Sequence, residues 1–348
     1  MKPMRYLFLM CSERSGSNLI ARMMGSHPDC CAPPPAHLLR LLVRNRAGYG
    51  DLELDDNWRL LVDDLIDLLD TSLVEWKYRP DRDRLLDGAL PRSLAALLRD
   101  TYEQEARLQG CSVLFIKENH LYDYLPFVRD AFPGAKLVAM TRDPRDMALS
   151  WKNSAVLRGG VVRAAGVWQA DQTGLRAVAD TLPADRRPHC LRYEDLLRDP
   201  AGELSALCGF CGLPMRPDML EFHRDGGARR QAGAAEPWKN LDRSLMRDNY
   251  GKFRTGLSVD EIAYVEAVCG ETMRGFGYEP ETEGGRPLPG LLARLQPLER
   301  ADKPGYRLVS ERERRIRRAR ESVVRRIEAR QPVAAPDDVS PADRAVQG

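Results

Sequence analysis

The sequence predicts an α/β protein of three layers, in which a central parallel sheet lies between helices. Short, nearly continuous apolar runs are typical of strands buried on both faces. Segments with helical spacing separate these runs, and a helix between two strands is the usual crossover of a parallel sheet. The four predicted strands are "YLFLMC" (6–11), "SVLFIK" (112–117), "AKLVAM" (135–140) and "HCLRYE" (189–194).

Amphipathic helices fill the intervals between these strands. In residues 52–70 the leucines recur at helical spacing with carboxylates between them, which predicts a helix with one buried face. The Gly- and Ala-rich stretch 224–240 predicts a mobile loop, a candidate lid. Further helices are expected at 18–25, 92–108, 121–131, 144–156, 162–180, 258–275 and 311–330.

Composition limits the classes of function. The 348 residues carry a formal net charge of +2, which is too small to predict nucleic-acid binding by the whole chain. No segment approaches the roughly 18 apolar residues of a membrane span. The apolar run at 6–11 is too short for a secretory signal. The cysteines lack zinc spacing and are expected to be structural thiols. We therefore expect a cytoplasmic protein.

The chain divides into three expected parts: a main domain over 1–290, a basic helical extension over 291–330 and a disordered tail over 331–348. Residues 311–330 hold nine Arg and four Glu. This helix has three interpretations: a solvated face, a dimer helix, or a patch for an anionic partner. Its apolar stripe, which includes Val323 and Ile327, favours packing on its own chain or in a homodimer.

Polar residues follow three of the predicted strands, where ligands of parallel sheets bind. The first strand leads into "SERSGSN", which opens a helix. Gly16 lets the backbone approach an anion closely, and the amides of residues 15–18 point toward it at the helix N-terminus. The three strand ends are 12–17, 117–120 and 142–143.

Side chains of the same loop add to this anion cradle. Arg14 supplies a cation, while Ser15, Ser17 and Asn18 supply hydrogen-bond donors. A serine follows Gly16 where an ATP-binding loop has lysine, so we expect a phosphate-like ligand without a bound metal. The alternative is an ordinary strand-turn-helix with serine capping.

A second anion site is predicted after the third strand, in "MTRDPRDMALSWKNS". Arg142 stands at the strand end and Ser150 lies about two turns into the next helix, so the two can hold one phosphate together. Asp143 and Pro144 also suit an ordinary helix start, with Asp at the N-cap and Pro in the first turn. Both interpretations can hold, because the cap orients the helix that carries Ser150.

Together these motifs resemble the sulfotransferases that use 3′-phosphoadenosine-5′-phosphosulfate (PAPS). "RSGS" is similar to the family's 5′-phosphosulfate loop, and the pair Arg142 and Ser150 to its 3′-phosphate clamp. "CLRYEDLLRDP" (190–200) resembles the following strand and turn, which implies that Tyr193 lies near the adenine. "NYGKFRTGLSVDEI" (249–262) resembles the late basic loop, with Lys252 and Arg254 as phosphate contacts. The likeness covers about residues 5–280 and is nearest to bacterial small-molecule sulfotransferases rather than to membrane-anchored carbohydrate enzymes.

The resemblance implies a P-loop-like sulfotransferase fold and an enzyme that transfers a sulfuryl group from PAPS to a hydroxyl or similar nucleophile, releasing PAP. Such transfer needs positioning, a cation on the leaving phosphate and a base on the nucleophile. A sulfuryl group carries less negative charge than a phosphoryl group, so no metal is required. Arg14 is the candidate for stabilising the leaving phosphate.

The catalytic base is where the sequence departs from the family. Related bacterial enzymes have Pro-Pro-Glu after the first helix, but "CAPPPAHLL" places Pro35 where that Glu would fall. His37 is the nearest titratable residue and the first candidate base. In "FIKENHLYDYLP" (115–126), Lys117 is a candidate contact to the sulfuryl oxygens, and His120 and Glu118 are the second and third candidate bases.

Two other functions fit parts of the sequence. A nucleotide-dependent small-molecule kinase would need magnesium and a lysine after Gly16. A PAPS- or PAP-binding protein without transfer activity would explain the missing Glu. The acceptor is expected to be a small molecule, lipid or sugar, with a hydrophobic natural product as one case.

Overall fold

The computed structural model describes residues 3–282, 288–299 and 309–330. Its strands are β1 Arg5–Cys11, β2 Cys30–Cys31, β3 Val113–Glu118, β4 Lys136–Thr141 and β5 His189–Arg192. They form one sheet in the order β2–β3–β1–β4–β5, and every adjacent pair is parallel. The predicted α/β class is confirmed.

Helices cover both faces of the sheet. Two short 3-10 turns lie beside residues predicted for the site: Leu121–Tyr124 follows His120, and Glu236–Trp238 follows the helix Gly226–Ala234. The helices are α1 Ser17–Met24, α2 Leu38–Arg44, α3 Asp55–Asp70, α4 Arg82–Leu86, α5 Leu94–Leu108, α6 Leu125–Ala131, α7 Pro144–Lys152, α8 Val161–Thr181, α9 Tyr193–Arg198, α10 Pro200–Cys211, α11 Gly226–Ala234, α12 Phe253–Gly256, α13 Val259–Gly275, α14 Leu288–Glu299 and α15 Glu311–Glu328.

The side chains of β1 alternate between two hydrophobic cores. Phe8 and Met10 belong to the core beneath α2, α3 and α5, whereas Leu7 and Leu9 belong to the core beneath α1, α9 and α10. Because both faces are covered, the strand needs apolar residues at consecutive positions. This is why its sequence shows no polar alternation.

The stretch predicted as a loop at 224–240 is partly helical, which corrects that prediction. The Asp225 side chain accepts a hydrogen bond from the Gly227 amide (3.0 Å) and caps α11. An N-cap of this kind lets a helix begin in spite of the glycines that favour a loop.

The C-terminal helix α15 packs against α3. Val323 and Ile327 lie in the same core as Phe8, so the apolar stripe is used within the chain's own core. Arg326 donates to the buried Asp64 carboxylate at 2.8 Å and fastens the helix at its C-terminal end. The predicted tail at 331–348 lies outside the described residues.

The order of the strands determines which loops meet. Since β3, β1 and β4 are neighbours, their carboxyl ends bring residues 117–120, 12–17 and 142–143 to one edge of the sheet. The Asp143 side chain accepts from the Arg145 amide and caps α7, whose first residue is Pro144, as the sequence predicted.

Candidate active site

A cavity of ≈ 520 Å³ lies at this edge of the sheet. Its walls include residues from the three strand-end loops, from α1, α7 and α9, from the segment after α11 and from α15. Ser15, Glu118, His120 and Arg254 do not line it. Ten of the predicted site residues do, namely Arg14, Gly16, Ser17, Asn18, His37, Lys117, Arg142, Ser150, Tyr193 and Lys252.

Gly16 lines the cavity at the start of α1, where the sequence predicts an anion cradle. Its φ of +91° lies in the left-handed region, and a Cβ placed on it would come within 2.3 Å of the Tyr193 ring. Gly16 is the N-cap of α1 and has no side chain with which to cap the first amides of the helix, and the first residues of α1 line the cavity. The Ser15 hydroxyl donates to the Ser12 carbonyl (2.7 Å), which leaves only its backbone for a ligand.

Arg14, Ser150 and Arg142 meet, although they are far apart in sequence. The Nε of Arg14 donates to the Ser150 hydroxyl (2.9 Å), and Nη1 of Arg142 donates to the Arg14 carbonyl (3.0 Å). The Arg142 guanidinium lies 4.4 Å from the centre of the Tyr193 ring. Its Nε is buried without a hydrogen-bond partner among the described residues, which suits a site that receives an anion.

Asn249, which sequence reasoning missed, ties the cradle to the late basic loop. Its side-chain amide donates to the Tyr193 hydroxyl (2.8 Å), and its side-chain oxygen accepts from Lys252 Nζ (2.9 Å). Arg254 instead pairs with Glu281 at the surface. The structure therefore brings Lys252 to the cavity and leaves Arg254 outside it.

His37 also lines the cavity. Its Nδ1 lies 3.5 Å from Oε2 of the fully buried Glu118, and a quarter of its side chain is exposed. The other Glu118 oxygen accepts from the Leu39 amide (3.3 Å) and the Tyr102 hydroxyl (3.5 Å). Behind His37, this carboxylate can hold the ring and balance a charge on it.

Burial shifts both titratable groups of this pair. It raises the pKa of Glu118 to about 7, although neighbouring cations oppose the shift. Burial, reinforced by nearby positive charges, holds the pKa of His37 well below its ordinary value. His37 is thus neutral near pH 7, which a general base must be.

The remaining candidates occupy different places. Lys117 points into the cavity and donates to the side-chain oxygen of Asn18 at 3.4 Å. His120 faces away toward Tyr122 (2.9 Å) and Asp171 (3.2 Å). Burial would lower the pKa of His120, but the hydrogen bond and charge of Asp171 outweigh it and raise that pKa.

Three of the candidate residues have a strained backbone conformation with positive φ. Within the described part of the chain, the non-glycine residues with positive φ are Arg14 (63°), His37 (52°) and His120 (56°). Such conformations are unfavourable for side chains with a Cβ and cluster at functional sites. The strain therefore supports the same residues that the motifs single out.

Cations outnumber carboxylates on the described walls of the cavity. Such an excess, in a partly enclosed site, attracts a ligand with several negative charges. The cations are Arg14, Lys117, Arg142, Lys239, Arg243, Lys252, Arg317 and Arg320, and the carboxylates are Glu13, Asp146 and Glu236.

Two of these cations, Arg317 and Arg320, come from α15, and the sequence did not predict them as site residues. The basic composition of this helix was visible in the sequence. Which of its arginines face the cavity depends on how the helix packs, and no local pattern indicates that.

The helices of the described residues are too short or too polar to span a membrane.

Comparison with known proteins extends these observations. A family model described as "Sulfotransferase family" matches residues 7–217, which is more than half of the chain. Human carbohydrate sulfotransferase 6 is 24% identical over 328 residues, covering 79% of this chain and 81% of that protein. Mouse carbohydrate sulfotransferase 5 is 23% identical, covering 78% of this chain and 80% of that protein.

Solved structures show the same fold. The sulfotransferase domain of the Synechococcus PCC 7002 olefin synthase superposes with a TM-score of 0.55 at 20% identity, over 80% of this chain and 96% of that one. The sulfotransferase domain from the curacin biosynthetic pathway superposes with a TM-score of 0.50 at 17% identity, over 78% of this chain and 99% of that one.

Proposed function

The chain belongs to the sulfotransferase family, and from this premise we propose that it transfers a sulfuryl group from PAPS to a hydroxyl of a small-molecule, lipid or sugar acceptor. The observation that carries the proposal is one cavity that joins the Gly16 cradle, the Arg142 and Ser150 pair and a neutral histidine.

The proposed donor fits the residues present. The 5′-phosphosulfate would lie on the amides of residues 15–18, with Arg14 beside it. The 3′-phosphate would lie between Arg142 and Ser150. The Arg142 Nε, which has no hydrogen-bond partner among the described residues, supports this placement because it could donate to a phosphate oxygen. The close contact between Gly16 and Tyr193 supports a cradle in which a larger residue has no room.

The proposed chemistry needs no metal from this chain. Ser17 stands where a magnesium-dependent loop has lysine. Within the described residues, no group of three or more His, Cys, Asp or Glu could hold a metal ion. The cations of the cavity wall, with Arg14 nearest the leaving phosphate, would carry the charge that develops there.

His37 is the proposed general base. The acceptor hydroxyl gives its proton to His37 Nε2, its oxygen forms a bond to sulfur, and the bond between sulfur and the phosphate oxygen breaks to release PAP. Glu118, behind Nδ1, would stabilise the imidazolium that forms. The long distance of 3.5 Å is compatible with this role, since catalytic hydrogen bonds often tighten only when substrate binds.

The acceptor would enter next to His37. Leu73, Trp238 and Leu241 line the cavity and belong to one apolar cluster, which supports an acceptor with an apolar part. The names of the curated relatives add a carbohydrate hydroxyl as a candidate. We keep a cytoplasmic location and a homodimer as proposals, although Val323 and Ile327 are already buried within this chain.

Calorimetric titration tests the donor. We expect PAP to bind the full-length protein without magnesium, and much more tightly than ATP with magnesium. Preferential binding of ATP with magnesium would contradict the proposal and support a kinase.

A further inference from the structure

Arg320 of α15 holds the peptide that carries His37. Its Nη1 donates to the Leu68 carbonyl (2.7 Å), and its Nη2 donates to the carbonyl of Ala36, the residue before His37. We infer that Arg320 is a positioning residue for His37, one that fixes the imidazole against Glu118 and keeps a cation beside it. The inference rests on the proposed role of His37 as base.

The triple proline explains why an arginine is needed here. Prolines 33–35 have no amide hydrogen, so this stretch can be anchored only through its carbonyl groups. Trp76 Nε1 donates to the Pro34 carbonyl at 3.0 Å, and Arg320 Nη2 donates to the Ala36 carbonyl. The two donors hold the peptide that leads into the left-handed conformation of His37.

The helix that carries Arg320 is firmly attached. Val323 and Ile327 are buried in the main core, one and two turns beyond Arg320. Arg326 and Arg330 both pair with the buried Asp64. Arg320 itself is partly buried, and burial lowers its pKa to about 10, so it still carries its charge at neutral pH. It is therefore a fixed part of the cavity wall.

The charge of Arg320 acts on His37 together with groups from other elements. Burial and the surrounding cations lower the pKa of His37. Removal of Arg320 takes away one cation and frees the Ala36 carbonyl, so His37 should become easier to protonate. The charged and titratable groups around the imidazole are Glu118 and Lys117 from β3, Arg40 from α2, His120 from the loop after β3, and Arg320 from α15.

NMR titration of the histidine side chains in the full-length protein tests this inference without an acceptor. The chain has five histidines, and a His37→Gln variant assigns the signal of interest. We expect Arg320→Met to raise the pKa of His37 toward its ordinary value. Arg320→Lys keeps the charge but cannot span both carbonyls, and should give a smaller rise. An unchanged His37 pKa in both variants would overturn the inference.

Arg326→Met is the matched control, because it loosens the same helix at Asp64 without contacting Ala36. It should leave the His37 pKa unchanged, and an equal rise in this variant would show that Arg320 acts only through docking of the helix. If Arg320→Met does not fold, Arg320→Lys decides: a raised His37 pKa supports the inference and an unchanged one rejects it. PAP affinity, measured separately, reports on the proposed function. Arg326→Met should leave it unchanged, because Arg326 does not line the cavity, whereas Arg320→Met removes a cavity cation and should weaken it.

Discussion

Nδ1 of His37 lies 3.5 Å from Oε2 of Glu118, and both atoms are buried with no hydrogen-bond partner among the described residues. One carboxylate thus stands behind one imidazole that lines a strongly cationic cavity. The sequence offered His37 and Glu118 as rival bases. Their geometry supports a joint role, in which Glu118 orients the ring and His37 takes the proton.

Replacement of His37 should separate catalysis from donor binding. Loss of a general base typically lowers the rate by a factor of about 10² to 10⁴. We expect His37→Ala to show such a loss in kcat, while PAP affinity measured by calorimetry stays the same. His120→Gln is the matched control and should retain most of its turnover, because His120 lies outside the cavity. Unchanged turnover in His37→Ala would remove it as the base.

Arg142 and Arg254 should contribute very differently to PAP binding. Hydrogen bonds to charged groups contribute about 1.5–3 kcal/mol, so Arg142→Met should weaken PAP binding by a factor of about 10 to 150. Arg254→Met should have little effect, since its guanidinium pairs with Glu281 at the surface. Equal losses in calorimetric titrations of the two variants would show that the late loop closes differently when the ligand is bound.

Gly16→Ala should impair both stability and PAP binding. The new Cβ would be forced into the Tyr193 ring, in addition to the strain of a left-handed conformation. Gly88→Ala isolates the strain, because Gly88 has a similar φ of +85° and nothing within 4 Å of its ideal Cβ. Thermal unfolding should show a larger loss for Gly16→Ala, and only that variant should lose PAP affinity. Normal PAP binding by Gly16→Ala would exclude the cradle.

The rate of transfer should depend on the ionisation of Glu118. Burial raises its pKa to about 7, so the carboxylate gains a proton as the pH falls through that value. Only the charged form stabilises an imidazolium at position 37, and kcat should therefore fall as the pH drops below about 7. In Glu118→Gln we expect a lower kcat that lacks this dependence. Two results would contradict the pairing of Glu118 with His37. One is a wild-type kcat that does not change between pH 6 and 8, and the other is a Glu118→Gln variant whose kcat still falls below about pH 7.

The ionisation of Glu118 should also affect folding stability, but stability should fall as the pH rises, whereas kcat should rise. In the folded protein the Glu118 pKa is above its ordinary value of 4.5, so between these two values the folded state binds more protons than the unfolded state. Stability is then lost as the pH rises through this interval. Relative to wild type, Glu118→Gln should gain up to about 3 kcal/mol between pH 5 and pH 8 in denaturant unfolding. A constant difference across that range would show that the pKa is not raised.

The fold was predictable because its determinants are local. Strands β1, β3 and β4 are buried on both faces, and their continuous apolar runs mark them in the sequence. Strand β2 has only Cys30 and Cys31, which is too short for any periodic signal. The helix α11 was missed because glycines favour a loop, whereas the cap at Asp225 that starts the helix is a single contact.

The local motifs of the proposed anion site were predictable, but the contacts that distant segments make with the site were not. Arg142 and Ser150 lie in one continuous motif, whereas Arg320 reaches Ala36 across 284 positions. No pattern within a segment records such a long-range contact. Lys252 and Arg254 looked equivalent in sequence, and only the position of Glu281 shows which of them faces the cavity.

Transfer of label from ³⁵S-PAPS tests the central claim most directly. Wild-type protein and His37→Ala would each be incubated with labelled PAPS and with sets of hydroxylated sugars, lipids and aromatic natural products. The account predicts a labelled product and stoichiometric PAP with the wild type, and almost none with the variant. If folded, PAP-binding wild-type protein labels no acceptor, or if His37→Ala labels one equally fast, the proposed transfer mechanism is wrong.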